Sequence, residues 1–376
     1  MGRRTNTAKW LEKYNRWQIK VQKDGERRTF TSSKPGRNGQ RECNAKADVW
    51  LDGGIVSPGL KVHELYANWM IELKSNTSLS NWRSYEVHWR IWIKPVIGNR
   101  KVQDLTEQHL QTVINKAFAA GKSKKYLGSI RAGMSAMLKF ARKCRATALV
   151  VENVYIPKGA PVGERIILQP DDIIKLFTCN ETLYKGKVLV EPYINAYRFA
   201  LATGLRPGEI IGLRDTDIIS DRFIDLKNSI NVHCEVTAGK NENAQRQFVL
   251  KAVDIEILNK QRKYLLETGL RSQYVFPHED GGHMNPSTYY QRWIRYRDYN
   301  GISKASPYEL RHTFVSIVKG LPEGLIKDIV GHSKAMDTFG VYGHQLKGQM
   351  QQTAELIQDE FSKLLELAKK DVKTAI

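Results

Sequence analysis

No run in this 376-residue sequence comes near eighteen consecutive apolar residues, which excludes a membrane-crossing helix. Cysteine is scarce. Cys43, Cys144, Cys179 and Cys234 stand far apart, which excludes a close-spaced zinc site and a disulfide scaffold. The opening residues, Met1 to Asn6, lead into polar sequence without the apolar stretch of a secretory leader. A reducing, cytoplasmic setting is the expectation. There is no phosphate-cradling GxxxxGK[ST] loop and no carboxylate cluster suited to paired divalent cations, so neither a nucleotide cofactor nor a metal is expected. Disorder throughout is excluded as well, because 41% of the residues are hydrophobic.

Acidic residues are the remaining shortage. The chain has 39 Asp+Glu against 59 Lys+Arg, a net charge of +20. Residues 1–50 hold 13 basic and 5 acidic side chains, and residues 51–160 hold 17 and 7. Residues 161–376 hold 29 and 27, so nearly all the excess lies in the first 160 residues. A polyanion is the expected partner, nucleic acid before any other. A membrane surface fits less well, because the charges are interleaved with aromatics through folded-looking sequence.

The length suits two or three domains. Residues 1–56 read as a small β-rich module: residues 17–21 alternate apolar and polar, Asp24 and Gly25 signal a turn, and residues 27–31 make a second strand. A short helix with Ala45, Val49 and Trp50 on one face is expected to cover that sheet. Residues 57–152 read as all-helical, with stripes at Leu65, Trp69 and Leu73 and at Trp82, Tyr85, Trp89 and Trp92. The tryptophan stripe is expected to be core, and Pro95 to end its helix. A later helix through Leu127, Ile130, Met134 and Met137 carries Lys122, Lys124, Lys125, Arg131, Lys139, Arg142, Lys143 and Arg145, which could line a duplex. Residues 153–165, rich in Pro and Gly, read as a linker. Residues 166–349 read as a mixed α+β, mainly helical domain, with strand character over 222–236 and 246–250. In the tail, 350–376, Ala354, Ile357, Phe361, Leu364 and Leu365 recur at helical spacing, and the stripe is expected to be buried on a neighbouring protomer, with its own catalytic domain as the alternative.

Four short runs carry chemistry. In the run from Ala202 to Ile210 a helix is expected to end at Gly204 and another to start at Pro207, holding Arg206 at the junction. Lys240 falls in a polar turn between strands. The run from Ser306 to Phe314 contains Tyr308, Arg311 and His312. Gly331-His332-Ser333 follows, with Tyr342 ten residues after His332. Each run alone is weak, and a surface arginine or a solvated lysine would explain it. Their order and spacing together are not ordinary.

In that order and spacing the sequence resembles the tyrosine recombinase family, especially integrases of phages and integrative conjugative elements. The family's A-T-G-L-R-x-x-E run falls on Arg206, its hairpin lysine on Lys240, its H-x-x-R on Tyr308 and Arg311, its G-H on His332, and its terminal tyrosine on Tyr342. The resemblance covers nearly the whole chain. It implies an arm-type DNA-binding module, a helical core-binding domain and a catalytic domain. It implies double-stranded attachment sites as partners, a homotetramer on paired sites, and directionality or DNA-bending helper proteins. One position departs: Tyr308 stands where the family usually has His. A phenol donates a hydrogen bond, but with a pKa near ~10 it is a poor base at pH 7.

The implied reaction needs no cofactor. Arg206, Arg311 and His332 would neutralise the phosphate and the added charge of its transition state. Tyr342 would attack, and Lys240 would protonate the leaving 5′-oxygen. Tyr308 as the nucleophile is the weaker choice, because it sits where a phosphate ligand belongs. Two other functions share these features: a catalytically inactive DNA-binding regulator on the same fold, and a nicking-closing enzyme of the type IB topoisomerase kind.

Overall fold

A computed structural model describes residues 6–23, 25–51, 59–237, 245–322 and 349–374. The chain divides into two compact units, Met1–Gly163 and Glu164–Ile376. Among the described residues, no helix is long and apolar enough to cross a membrane.

The first unit begins with a three-stranded antiparallel sheet, β1 (Lys9–Leu11), β2 (Arg16–Lys23) and β3 (Glu26–Ser32), in that spatial order. Cross-strand partners share a face, so Ile19 opposite Phe30 and Trp17 opposite Ser32 lie on one side. Lys20 opposite Thr29 and Gln22 opposite Arg27 lie on the other. Helix α1 (Gly36–Leu51) covers the apolar side with Cys43, Ala47 and Leu51, spaced four apart and buried with Ile19 and Val21. The expected helix is there, but its face is different. Trp50 does pack against this core beside Phe30, whereas Ala45 is exposed. Small Cys43 and Ala47 let the helix approach the sheet. Strand β1 was not legible; three residues are too few to show a period.

A second core in this unit is all-helical: α2 (Val62–Asn76), α3 (Leu79–His88), α4 (Lys94–Ile97), α5 (Glu107–Ala119) and α6 (Lys124–Lys143). Trp69 and Trp89 are buried there, with Trp82, Tyr85 and Trp92 packed against them, as the tryptophan stripe suggested. Pro95 does not end its helix. A π-helical segment, Trp89–Ile93, runs directly into α4, and the helix continues to Ile97. Proline lacks an N–H, so the wider turn before it relieves a position where an ordinary α-helical bond could not form. Residues 151–161 carry no regular structure yet are docked. Val151, Val154 and Ala160 are buried, and Arg131 and Arg142 donate to the carbonyls of Val151 (3.0 Å) and Leu149 (2.7 Å). Those two arginines therefore hold the chain itself. The basic side chains of α6 that are exposed are Lys124, Lys125, Lys139 and Lys143, the last paired with Glu72 at 2.9 Å.

The second unit is mainly helical with small antiparallel sheets. Helix α7 (Pro170–Thr178) precedes a hairpin, β4 (Glu181–Tyr184) with β5 (Lys187–Val190), which periodicity did not reveal. Then come α8 (Ile194–Thr203) and α9 (Pro207–Gly212). After β6 (Ile218–Ile219), the expected long strand over 222–236 is broken into β7 (Phe223–Leu226), β8 (Ser229–Ile230) and β9 (Val236–Thr237), with β8 and β9 paired to each other. Asn231 makes the reversal: its side-chain oxygen accepts the N–H groups of His233 (2.8 Å) and Glu235 (3.1 Å). Strand β10 (Arg246–Val249) pairs with β7, and helices α10 (Ala252–Thr268), α11 (Pro286–Tyr299), α12 (Pro307–Ile317) and α13 (Gln349–Thr374) follow among the described residues.

Helix α13 overturns the expectation that its stripe is buried by a neighbouring protomer. Ala354, Ile357 and Phe361 are buried within the second unit, with Leu364 and Leu365 packed beside them. Phe361 lies 6.3 Å from Phe314 of α12, ring centre to ring centre. Gln358 accepts the Val253 N–H at 3.0 Å, capping α10. The stripe can be satisfied at home because α7, β10 and α12 leave a matching apolar surface. Phe361→Ala should therefore destabilise the DNA-free protein by about 3–5 kcal/mol, measured by denaturant unfolding of the full chain. A change near zero would mean that this helix is undocked in solution.

Candidate active site

Two segments far apart in sequence are brought together by the packing of α8 against α12. All of α8 is buried, and it ends at Gly204 in the left-handed conformation, φ 67°. A Cβ there would lie 2.4 Å from Phe314 Cδ1, so glycine meets both the backbone and the space requirement. Leu205 is fully buried, and Arg206 follows in extended conformation as the residue before α9, whose first position is Pro207. Gly208 is required by a close approach: a Cβ would stand 2.5 Å from the Ile230 carbonyl of β8. The expected junction at Gly204 and Pro207 is thus present, and it aims Arg206 off a helix start.

From α12 comes Arg311, 3% exposed, whose Nη1 donates to the Gly204 carbonyl at 2.9 Å. That bond seats it on the same junction as Arg206. Burial lowers the pKa of Arg311, and the charge of Arg206 lowers it further, to about 10. A guanidinium held close enough to a second one to be lowered by its charge makes a strongly electropositive spot, which favours an anion.

Glu209 supplies the counter-charge. Its Oε1 accepts from Arg206 Nη1 at 2.7 Å and Arg246 Nη1 at 3.1 Å. Its Oε2 accepts from the Arg206 N–H at 2.8 Å and Arg246 Nη2 at 3.1 Å. Burial works to raise the Glu209 pKa, but the hydrogen bonds and charge of Arg246, with those of Arg206, outweigh it and hold the carboxyl below its ordinary range. Sequence reasoning passed over both Glu209 and Arg246. The first had a signal, an acid three residues after Arg206 in the first turn of a helix. The second had none, because only the β7–β10 pairing brings it across.

Tyr308 lies on α12 one turn before Arg311 and is 46% exposed. His312 is its neighbour on the next turn, the two rings edge-to-face with centroids 5.3 Å apart. Burial, then the charge of Arg165, lowers the His312 pKa, so its ring is mostly neutral at pH 7. The start of α12 is also tied to the chain entering this unit. Glu309 accepts the Ile166 N–H and Thr313 accepts the Leu168 N–H, both at 3.0 Å. Lys240 falls between β9 and β10, and it lies outside the described residues, as do His332 and Tyr342. Among the described residues, no group of three or more His, Cys, Asp or Glu could hold a metal ion.

Comparison with known proteins agrees with this architecture. Residues 167–349 match the phage integrase family, and residues 61–118 match the N-terminal SAM-like domain of phage integrases. A tyrosine recombinase XerC-like protein of Caldanaerobacter subterraneus subsp. tengcongensis is 23% identical, over 96% of this chain and 100% of that protein. The ICEBs1 integrase of Bacillus subtilis is 26% identical over 43% of this chain and 48% of its own length. Among solved structures, the Tn1549 transposon integrase in complex with transposon right end DNA superposes with a TM-score of 0.62 at 18% identity, covering 79% of this chain and 99% of that one. A lambda integrase tetramer bound to a Holliday junction gives 0.58 at 14% identity, covering 87% of this chain and 95% of that one. These superpositions show the fold. The family matches, the full-length similarity to a recombinase and the paired arginines at the α8–α9 junction converge: the chain belongs to the phage integrase family and is a tyrosine recombinase.

Proposed function

We propose that this recombinase is an integrase of a mobile element, which cleaves and rejoins DNA through a 3′-phosphotyrosine intermediate. The observation that carries the reading is the seating of Arg206 and Arg311 on one helix junction, with Arg311 bonded to the Gly204 carbonyl. A phosphodiester repels an incoming oxyanion. Two guanidiniums over its non-bridging oxygens remove that repulsion and stabilise the extra charge of a pentacovalent transition state. His332 is the third donor and Tyr342 the nucleophile. Lys240 gives the leaving 5′-oxygen its proton. Tyr308, exposed beside Arg311, donates a hydrogen bond to the phosphate, while neutral His312 supports its ring. The phosphotyrosine keeps the bond energy of the cleaved strand, so a free 5′-hydroxyl can reverse the step on the same or another duplex.

The domains divide the labour. Residues 57–152 form a core-binding domain that grips the duplex with the exposed lysines of α6, and residues 166–349 carry the catalysis. Residues 1–56 bind arm-type sites through the face of the sheet away from α1, where Lys20, Arg27 and Gln22 stand among threonines. The assembly on paired sites is a homotetramer, as in the lambda integrase complex on a Holliday junction. A chain that becomes covalently trapped on a nicked duplex and then exchanges strands between two duplexes is a recombinase. Binding without trapping would indicate a regulator. Trapping with relaxation but no exchange would indicate a nicking-closing enzyme.

Removing residues 1–56 should leave cleavage of an isolated core site intact and abolish integration into a full attachment site. The salt dependence of DNA binding should fall by about 0.9 in log–log slope for each phosphate that is no longer neutralised. An unchanged slope would contradict a phosphate-binding sheet.

A further inference from the structure

We propose that Arg246 is a positioning residue for strand cleavage, acting on Arg206 through Glu209. The inference rests on the recombinase reading above and concerns a side chain that reading leaves unused. A carboxylate has about four acceptor positions. Glu209 fills them with Arg206 Nη1, the Arg206 N–H, and two nitrogens of Arg246. The Glu209 side chain is 2% exposed and that of Arg246 8%, whereas that of Arg206 is 23% exposed.

This asymmetry divides the roles. Arg246 spends Nη1 and Nη2 on Glu209 at 3.1 Å each and is enclosed, so it is not placed as a phosphate ligand. Arg206 gives Glu209 one side-chain nitrogen and reaches towards the surface. A lone buried carboxylate beside a single arginine would be driven to neutralise or to claim that arginine in a two-pronged pair. The second guanidinium removes both tendencies. It keeps Glu209 ionised, and it occupies the edge that Arg206 would otherwise take. Arg206 is thereby held at one nitrogen and at its backbone, with its direction fixed. Arg246 also opens β10, opposite Leu226, directly after the segment that bears Lys240. One ion pair therefore ties that strand to the start of α9.

The test uses the full chain, with Arg246→Gln, Arg246→Lys, Glu209→Gln and the double variant Arg246→Gln/Glu209→Gln. The probe is a nicked suicide duplex carrying the junction sequence of the encoding element, cleaved in single turnover at saturating protein. Arg246→Gln should slow cleavage roughly 10- to 100-fold, the scale of a small misplacement of a reacting group. DNA affinity and its salt slope should stay at the wild-type value. The double variant should be no slower than the slower single variant, since both changes break one chain of interactions. Arg246→Lys should recover part of the rate, and only while Glu209 is present. Multiplying defects in the double variant, or a salt slope reduced by the amount of about one phosphate, would make Arg246 a direct ligand and overturn the proposal. A lowered thermal midpoint with an unchanged cleavage rate would overturn it too, as a purely structural pair. Should Arg246→Gln fail to fold, Arg246→Lys with and without Glu209→Gln completes the test. Absence of any adduct from the wild-type chain would instead sink the recombinase reading itself.

Discussion

Tyr342→Phe should bind a core site with wild-type affinity and form no covalent adduct, a loss on the order of 10⁴-fold or more in strand cleavage. In the proposed reaction the phenol oxygen attacks phosphorus, and nothing else on that side chain can replace it. Removing the hydroxyl takes away no charge at pH 7, so the phosphate interactions that dominate affinity are untouched. The reading rests on the position of Tyr342, ten residues after His332, since both residues lie outside the described part of the structure. A labelled suicide duplex run on a denaturing gel reads the adduct directly. Adduct from the Phe variant would move the nucleophile elsewhere, and Tyr308, exposed and next to Arg311, would be the first suspect.

Lys240→Ala should slow cleavage of a native duplex by about 10² to 10⁴-fold, the range of a missing general acid. The same variant on a 5′-bridging phosphorothiolate should cleave at close to the wild-type rate. Sulfur leaves as a stable thiolate and needs no proton, so the defect should disappear with the demand for it. In the proposed reaction, attack by Tyr342 and charge neutralisation by Arg206 and Arg311 are common to both substrates and cancel in the comparison. Equal slowing on the two substrates would show that Lys240 positions the phosphate and donates nothing to the leaving group.

Much of the candidate site could be read from local rules. Gly204, Arg206 and Pro207 announce a helix end, a joint and a helix start within four residues. The structure has that joint, because a left-handed glycine and a proline at a first helical position leave the backbone few alternatives. Tyr308, Arg311 and His312 were legible as neighbours on one helix for the same reason. Legibility failed where a choice depended on surfaces remote in sequence. Ala45 has the right spacing for a core face yet is exposed, and Cys43, Ala47 and Leu51 are buried with Trp50 packed against them. More than one face of a helix fits such spacing, and only the shape of the sheet beneath selects the one that is buried. The run over 222–236 has strand composition throughout, and the side chain of Asn231 folds it back on itself.

The sequence by itself determined the class of partner, through +18 of charge in the first 160 residues, and the order of the candidate reacting groups, through motifs whose spacing is covalent. Only the tertiary structure decided what surrounds those groups. The docking of Phe361 against Phe314 assigns the last helix to its own unit, because an amphipathic stripe states that it must be buried and not by what. The β7–β10 pairing carries Arg246 onto Glu209, 37 positions away, because ion pairing depends on distance in space and on exclusion of water. Neither quantity is written in the order of the residues until the chain has folded.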